Sequence, residues 1–498
     1  MGVETGRITT DIPARLDRLP WARWHWLVVI GLGTVWILDG LEVTIVGSMS
    51  DALKSPSTGL GMSSSDVGFA GAIYVAGACL GALFFGQLTD RFGRKKLFLV
   101  TLLVYTVATV ATAFAMAPWW YFAARFFTGF GIGGEYAAIN SAIDELIPAK
   151  YRGRVDITIN GSFWVGAAAG SLLTIPLLDP SVINPELGWR LAFGLGAILA
   201  VGILVVRRNV PESPRWLFIH GREDEAERIV TDIEGTVSDE SHKRLGSVSD
   251  TITVRQRRAI PFTLIARTVF TMYPKRTILC FSLFVGQAFL YNAFFFTYGD
   301  TLSTFLGVKQ VGWYLAAFAV SNFAGAVILG PLFDRIGRVQ MITATYVFSG
   351  VLLGITGFFL GHVSAMSLTI LGMIIFFSAS AGASAAYLTA SEVFPMETRA
   401  LCIAFFYAIG TAAGGISGPL LFGYLIDHAS ASKDITGIAI GYFIGAALMI
   451  GAGIVEAFLG VRAEGQTLES IAKPLTAEDD DTGELDDRRG SRPRPATA

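Results

Sequence analysis

Gly86-Gln87-Leu88-Thr89-Asp90-Arg91-Phe92-Gly93-Arg94-Lys95-Lys96 lies between two long apolar runs. Its centre, Asp90-Arg91-Phe92-Gly93-Arg94, returns 244 positions later as Asp334-Arg335-Ile336-Gly337-Arg338. A second motif repeats at nearly the same spacing: Glu145-Leu146-Ile147-Pro148 followed by Arg152 matches Glu392-Val393-Phe394-Pro395 followed by Arg399, 247 positions apart. Two separate motifs at almost one offset indicate a duplicated unit.

The material between the motifs is hydrophobic. Of 498 residues 52% are hydrophobic and only 16% charged, against about 25% charged in an ordinary soluble protein; the mean hydropathy is +0.55. That excludes a disordered, collagen-like or conventional cytosolic chain. With a formal net charge of −2 there is no basic field to hold nucleic acid. Cys79, Cys280 and Cys402 sit singly in apolar runs, without Cys or His at ligand spacing, so neither a metal site nor a cofactor is expected.

A bilayer core about 30 Å thick needs around 20 consecutive apolar residues in a helix, since no water satisfies an exposed backbone. Such runs fall near residues 25–48, 66–88, 95–116, 119–147, 155–178, 188–208, 276–300, 311–333, 340–361, 366–390, 400–427 and 436–461. The fold expected is an all-α membrane protein with twelve transmembrane helices in two pseudo-symmetric six-helix bundles. The expected division is an N-terminal segment 1–24, a first bundle 25–208, a central loop 209–275 with short surface helices such as Glu223 to Ile233, a second bundle 276–461, and a disordered tail 462–498. The first run is too long for a signal-peptide core and is read as a retained helix. Arg91, Arg94, Lys95, Lys96, Lys150, Arg152, Arg154, Arg335, Arg338 and Arg399 fall on one side, against Lys54, Arg190, Lys309 and Lys433 on the other. This bias puts both termini in the cytoplasm of a cell bounded by this inner membrane.

Few charges lie inside the runs, and each costs about 2.5–3.5 kcal/mol near mid-membrane, so it is expected to face a polar cavity or a partner. Asp39 and Glu42 share one face of the first helix. Counting inward from the outer helix ends, Glu42 is level with Arg125 of the fourth helix, and Asp39 lies roughly 4–5 Å deeper. The expectation is that Asp39 and Glu42 share Arg125 and that one of the two acids carries a proton; a static ion pair between helices is the alternative. Glu135, after Gly133-Gly134, is a weaker candidate for a relay. Asn160, Trp164, Gln287, Tyr291, Asn292 and Tyr298 offer donors, acceptors and aromatic faces for a hydroxyl-rich or small aromatic solute bound between the halves.

Taken together, these residues resemble the major facilitator superfamily over nearly the whole membrane region. Gly86 to Lys96 is similar to that family's loop between helices two and three. Pro211-Glu212-Ser213-Pro214-Arg215-Trp216-Leu217 is similar to the signature of sugar porters and organic-ion transporters. Gln287 and Asn292 keep a spacing that resembles the sugar porters' helix-seven motif, and Asn160 stands where their helix-five Gln is expected. The chain departs from that branch in carrying Gly286 before Gln287 and in lacking a Gly-Pro and Trp signature between Ser378 and Ala390. Asp39-Gly40-Leu41-Glu42 resembles instead the Asp-Gly-x-Asp of aromatic acid:proton symporters. The resemblance implies the major facilitator fold and a cytoplasmic gate of interhelical salt bridges among Asp90, Arg91, Arg94, Glu145, Arg152, Asp334, Arg335, Arg338, Glu392 and Arg399.

The function expected is secondary active transport, by proton symport, of a sugar, polyol or small organic or aromatic acid. Partners are then a small-molecule substrate, protons and the lipid bilayer, with the protein a monomer. A proton-driven exporter is the nearest rival, and a non-transporting sensor is a distant one. No Gly-Lys dipeptide exists to form an ATP-binding loop, and no nucleophile or metal constellation suggests an enzyme.

Overall fold

The computed structural model describes residues 4–49, 52–53, 55, 60–62, 64–179, 181–207, 212–241, 245, 251–257, 266–308, 311–395, 398–432 and 434–472; some side chains within these helices, including those of Asp90 and Arg94, lie outside the description. The N-terminal half runs β1 (Glu4–Thr10), α1 (Ile12–Asp17), α2 (Arg23–Ser48), α3 (Ser64–Phe92), α4 (Arg94–Ala113), α5 (Pro118–Leu146), α6 (Arg152–Gly161), α7 (Phe163–Leu177) and α8 (Pro185–Arg207). A central segment contributes α9 (Pro214–Ile219), α10 (Glu223–Ser241) and β2 (Ile252–Arg257). The C-terminal half runs α11 (Pro274–Leu306), α12 (Val311–Arg335), α13 (Arg338–Phe358), α14 (Ala365–Glu392), α15 (Arg399–Gly410), a π-helical turn Thr411–Ile416, α16 (Ser417–Ser432), α17 (Ala439–Leu459) and α18 (Leu468–Ile471).

Twelve membrane-spanning units result, six in each half, when α6 with α7 and α15 with α16 are each taken as one. Among the described residues ten of these are long and apolar enough to cross a bilayer on composition alone. The other two are α5, diluted by Arg125, Glu135 and glycines, and the α6–α7 unit, interrupted at Ser162. The eleventh unit is likewise not one straight helix, because its π turn shifts the backbone register between Gly410 and Ser417. The repeated motif of the two halves has a conformational cause. Gly93 and Gly337 each precede a helix, α4 and α13, at φ of +96° and +118°, a region open to glycine and strained for other residues.

Small residues let the helices approach closely. A Cβ on Gly40 of α2 would lie 1.8 Å from the Phe163 carbonyl oxygen of α7, and one on Gly166 would lie 1.7 Å from that of Ile37. The same two backbones therefore touch at reciprocal points. The bundles meet along α6 and α12, where a Cβ on Gly161 would come within 2.3 Å of Ala326 Cβ. Leu27, Phe114, Ile198, Phe358 and Phe458 remain exposed around the circumference, as an apolar solvent requires.

One end of the helix array is capped. Ile12, Leu16 and Leu19 pack on Trp216, Leu217, Phe218, Ala226, Val230 and Ile233 to form a small separate core. β1 pairs antiparallel with β2, Ile8 opposite Val254 and Thr9 opposite Thr253. Burial would lift the Glu234 carboxyl, but hydrogen bonds and charge from Arg15 and Arg18 outweigh it and hold the group below the usual carboxylate range. The central region is thus more built than a loop with short surface helices: α10 extends to Ser241, and the N-terminal segment docks on it. The expected disordered tail also needs correction over its first part. Residues 462–472 lie against the capped end, with Leu468 fully buried and the Ile471 carbonyl accepting from Arg276 Nη2 (2.9 Å). The rest of the tail, 473–498, expected to be disordered, lies outside the described residues.

Close approach at Gly40 yields a stability prediction. Gly40→Ala should lower the melting temperature in detergent, with about 1–3 kcal/mol of overpacking. Gly194→Ala, on α8 with nothing within 4 Å, should leave it unchanged or raise it slightly.

Candidate functional site: a buried acid cluster and an aromatic frame between the bundles

The acid cluster is assembled from three helices. Glu42 of α2 lies 2.9 Å from Arg125 Nη1 of α5 through Oε1. Its Oε2 accepts from the Tyr105 hydroxyl of α4 at 2.6 Å, and Thr109 Oγ1 stands 2.9 Å from both carboxylate oxygens. Arg125 is flanked by the rings of Tyr74 at 4.7 Å and Phe193 at 5.7 Å. Glu42 and Arg125 are thus a completed buried pair, with hydrogen bonds that such a pair needs when it is removed from water.

Asp39 is in a different position. It is fully buried, and among the described residues neither carboxylate oxygen has a hydrogen-bond partner. Its charged neighbours are Glu135 and Glu42, both acids. The expectation that Asp39 and Glu42 share Arg125 is therefore corrected: Arg125 pairs with Glu42, which lies at its own depth, and Asp39, a turn away, stands outside that pair. Glu135 is fully buried on the same side. A buried carboxylate without a cation or donor is expensive to keep ionised, and among the described residues Asp39 is in that position.

Next to Asp39 the two halves bring aromatic rings together. Trp36, three residues before Asp39, stacks on Tyr136 with centroids 4.6 Å apart and planes 5° apart. Tyr136 meets Tyr407 edge-on at 4.8 Å, and Tyr387 stands 6.1 Å from Trp36 and 5.0 Å from Phe284. These five rings come from α2, α5, α11, α14 and α15, so both bundles frame the same space. Tyr387 is half-buried within it, and Gln287 is close by in sequence on α11.

Of the expected solute-facing residues, Trp164 and Tyr291 meet across the halves at 5.4 Å, and the Tyr291 hydroxyl donates to Asn322 Oδ1 (3.1 Å). The amide groups of Asn160 and Asn292 donate to the carbonyls of Asp156 and Ala288 one turn back on their own helices. Tyr298 is stacked on Phe294 at 4.7 Å and hydrogen-bonded to Thr369 Oγ1, inside the C-terminal bundle and away from the aromatic frame. Trp36, Tyr136, Tyr387 and Tyr407 were missed from sequence because lone aromatics in apolar helices look like packing. Tyr105 and Thr109, four apart on one helix face, carried a signal that could have been read.

At the capped end charged pairs join helices. Arg338 grips Glu392 through Nε and Nη2, both at 3.1 Å, and holds Asp334 at 2.8 Å. Contacts that cross between halves include Arg152 to Glu392 (4.0 Å), Arg399 to Glu145 (3.9 Å), and the Arg154 N–H to Asp334 Oδ2 (2.9 Å). Among the described residues no ion pair of Arg91 or Arg335 is found. Both are exposed, and Arg91 lies over the Phe92 ring at 5.2 Å. The Asp90 and Arg94 side chains, expected in the gate, lie outside the described residues. Lys95 donates its backbone N–H to Glu212 (3.2 Å), tying the central segment to the motif after α3.

The family model described as "Sugar (and other) transporter" matches residues 40–474. The niacin transporter of Acinetobacter baylyi is 29% identical over 469 residues, covering 93% of this chain and 99% of the relative. The 4-hydroxybenzoate transporter of Pseudomonas putida is 26% identical over 428 residues, covering 83% and 90%. Among solved structures, the proton:xylose symporter XylE superposes with a TM-score of 0.72 at 18% identity over 90% of this chain and 98% of the other. At that identity the likeness is one of fold.

The asymmetry between the two helix-two-turn neighbours Asp39 and Glu42 is testable without any substrate. Glu42→Gln leaves Arg125 buried without its carboxylate and should destabilise the protein by about 3–5 kcal/mol. Asp39→Asn removes a charge that has no partner and should leave stability unchanged or raise it. Thermal melting of both variants in one detergent reads the difference.

Proposed function

The chain belongs to the sugar (and other) transporter family, membrane transporters of small molecules with the major facilitator fold, and from that premise we propose that it is a proton symporter importing a small single-ring aromatic acid. The observation that carries the reading is Asp39, a fully buried carboxyl outside the Glu42–Arg125 pair and one turn from the Trp36–Tyr136 stack.

In the proposed cycle Asp39 is the proton carrier. Ionised, it makes closure of the low-dielectric space around it unfavourable. Protonated, it lets the bundles close over the loaded site. Glu42 keeps Arg125 occupied, so the arginine does not hold Asp39 permanently ionised. The flat faces of Trp36, Tyr136, Tyr387 and Tyr407 suit a planar ring, and Gln287 with the tyrosine hydroxyls supplies uncharged donors for its carboxylate. Relatives named for niacin and 4-hydroxybenzoate support this class over sugars. The capped end is read as cytoplasmic, in the inner membrane, and the protein as a monomer. Its cross-bundle pairs Arg152–Glu392 and Arg399–Glu145 form the closed inner gate, broken when the site opens inward.

One proton symported down a gradient of one pH unit supports about tenfold accumulation of a monovalent acid, equivalent to about 1.4 kcal/mol. Proteoliposomes should reach that ratio with nicotinate or 4-hydroxybenzoate, and Asp39→Asn should bring it to unity while substrate exchange across the membrane continues. Unaltered accumulation in Asp39→Asn would remove the carrier assignment; uptake of pentoses and of no aromatic acid would remove the substrate class.

A further inference from the structure

Asp17, the last residue of α1, precedes the stretch matched by the family model, yet its carboxylate holds two arginines of the capped end. Oδ1 accepts from Arg152 Nη2 at 3.3 Å and from the Ala149 N–H at 3.2 Å, and Oδ2 accepts from Arg215 Nη2 at 3.2 Å. Each of these arginines also faces an acid carried by the other half. Arg152 Nη1 is 4.0 Å from Glu392 Oε1 at the end of α14, and Arg215 Nε is 3.5 Å from Glu469 Oε1 of α18. Arg152 reaches the Gln466 carbonyl as well, at 3.4 Å.

The two sets of partners differ in what they are attached to. Arg152 heads α6, and Arg215 lies in α9 shortly after α8, so both belong with the N-terminal half. Asp17 is fixed to that half by its bond to the Ala149 N–H and by the apolar core of Ile12, Leu16 and Leu19 against Trp216, Phe218 and Ile233. Glu392 continues α14, and Glu469 follows α17, so both are carried by the C-terminal half. Burial would raise the Glu469 carboxyl, but Arg215, with Arg399 and Arg152 behind it, holds the group below the usual carboxylate range, so it stays an anion at neutral pH.

We propose that Asp17 is a positioning residue of the inner gate: a resident counter-ion that stays with Arg152 and Arg215 when Glu392 and Glu469 withdraw, and so loosens the latch between the bundles. This rests on the gate reading given above. Arg152 is fully buried and Arg215 1% exposed, and a buried guanidinium stripped of every carboxylate is strongly disfavoured. With Asp17 in place each arginine keeps a carboxylate of its own half on opening, and each cross-bundle acid shares its arginine with a competitor. Removing Asp17 takes that competitor away and shifts the equilibrium toward the closed gate. The third cross-bundle pair, Arg399–Glu145, has no contact with Asp17 among the described residues and serves as the internal comparison.

The test uses the full-length protein in proteoliposomes, spin-labelled at Lys96→Cys and Gln340→Cys, both exposed at the capped end of opposite halves. Electron–electron distance measurements read the open population, and initial rates read turnover and KM. Asp17→Asn should lower the open population and turnover about fivefold, the lower end of typical coupling between sites, with KM changed by less than about twofold. Asp17→Glu, which keeps the charge, should restore the wild-type population and show that docking of α1 is not the cause. In a Glu392→Gln background the effect of Asp17→Asn should shrink, and in a Glu145→Gln background it should persist. An unchanged or more open population in Asp17→Asn, or an undiminished effect beside Glu392→Gln, overturns the proposal. If Glu392→Gln alone leaves the open population unaltered, the gate reading itself fails, and this inference falls with it.

Discussion

The Glu42–Arg125 pair is the interaction on which the arrangement of the site depends. Away from water an arginine cannot shed its charge, so a carboxylate must meet it with its remaining lone pairs satisfied. Glu42, Tyr105 and Thr109 do this from two helices while Tyr74 and Phe193 cover the guanidinium faces. Once that pair is closed, the single cation of the cluster is used up. Asp39 stands outside it, and the proposed carrier role of Asp39 follows from its exclusion from the pair.

The second constraint is steric. In the proposed cycle the halves rock on each other, and helices meet at small residues both within a half and between the halves. Gly40 and Gly166 bring α2 against α7, and Gly161 brings α6 against α12. Flat small-residue contacts rest on short-range dispersion alone and can be re-formed after a small rotation. The polar contacts between the halves are gathered elsewhere, at the capped end, where Arg152, Arg399 and Asp334 join the bundles. In the proposed cycle, sliding surfaces and breakable latches are therefore separated along the membrane normal.

The capped end also shows how segments outside the membrane take part. The N-terminal helix and residues 462–472 place an acid or a carbonyl beside Arg152 and Arg215, and the central segment supplies Arg215 itself. None of these segments has an apolar core large enough to stand alone. They are ordered because the buried arginines beneath them need acceptors, and the arginines can be buried because those acceptors are supplied.

Sequence by itself determined the twelve spans, their division into two related halves and the family, because bilayer thickness sets helix length and a duplicated turn keeps its glycine at positive φ. It also placed Glu42 level with Arg125, since counting residues along straight helices gives depth. What counting could not give is azimuth: whether Asp39 faces Arg125 or turns from it depends on helix rotation, which packing at Gly40 and Gly166 decides. The frame of Trp36, Tyr136, Tyr387 and Tyr407 was likewise invisible, because an aromatic in an apolar helix reads the same whether it faces lipid, core or cavity. The docking of residues 462–472 and of Asp17 depended on charges hundreds of residues away, and only the folded chain brings those charges into reach.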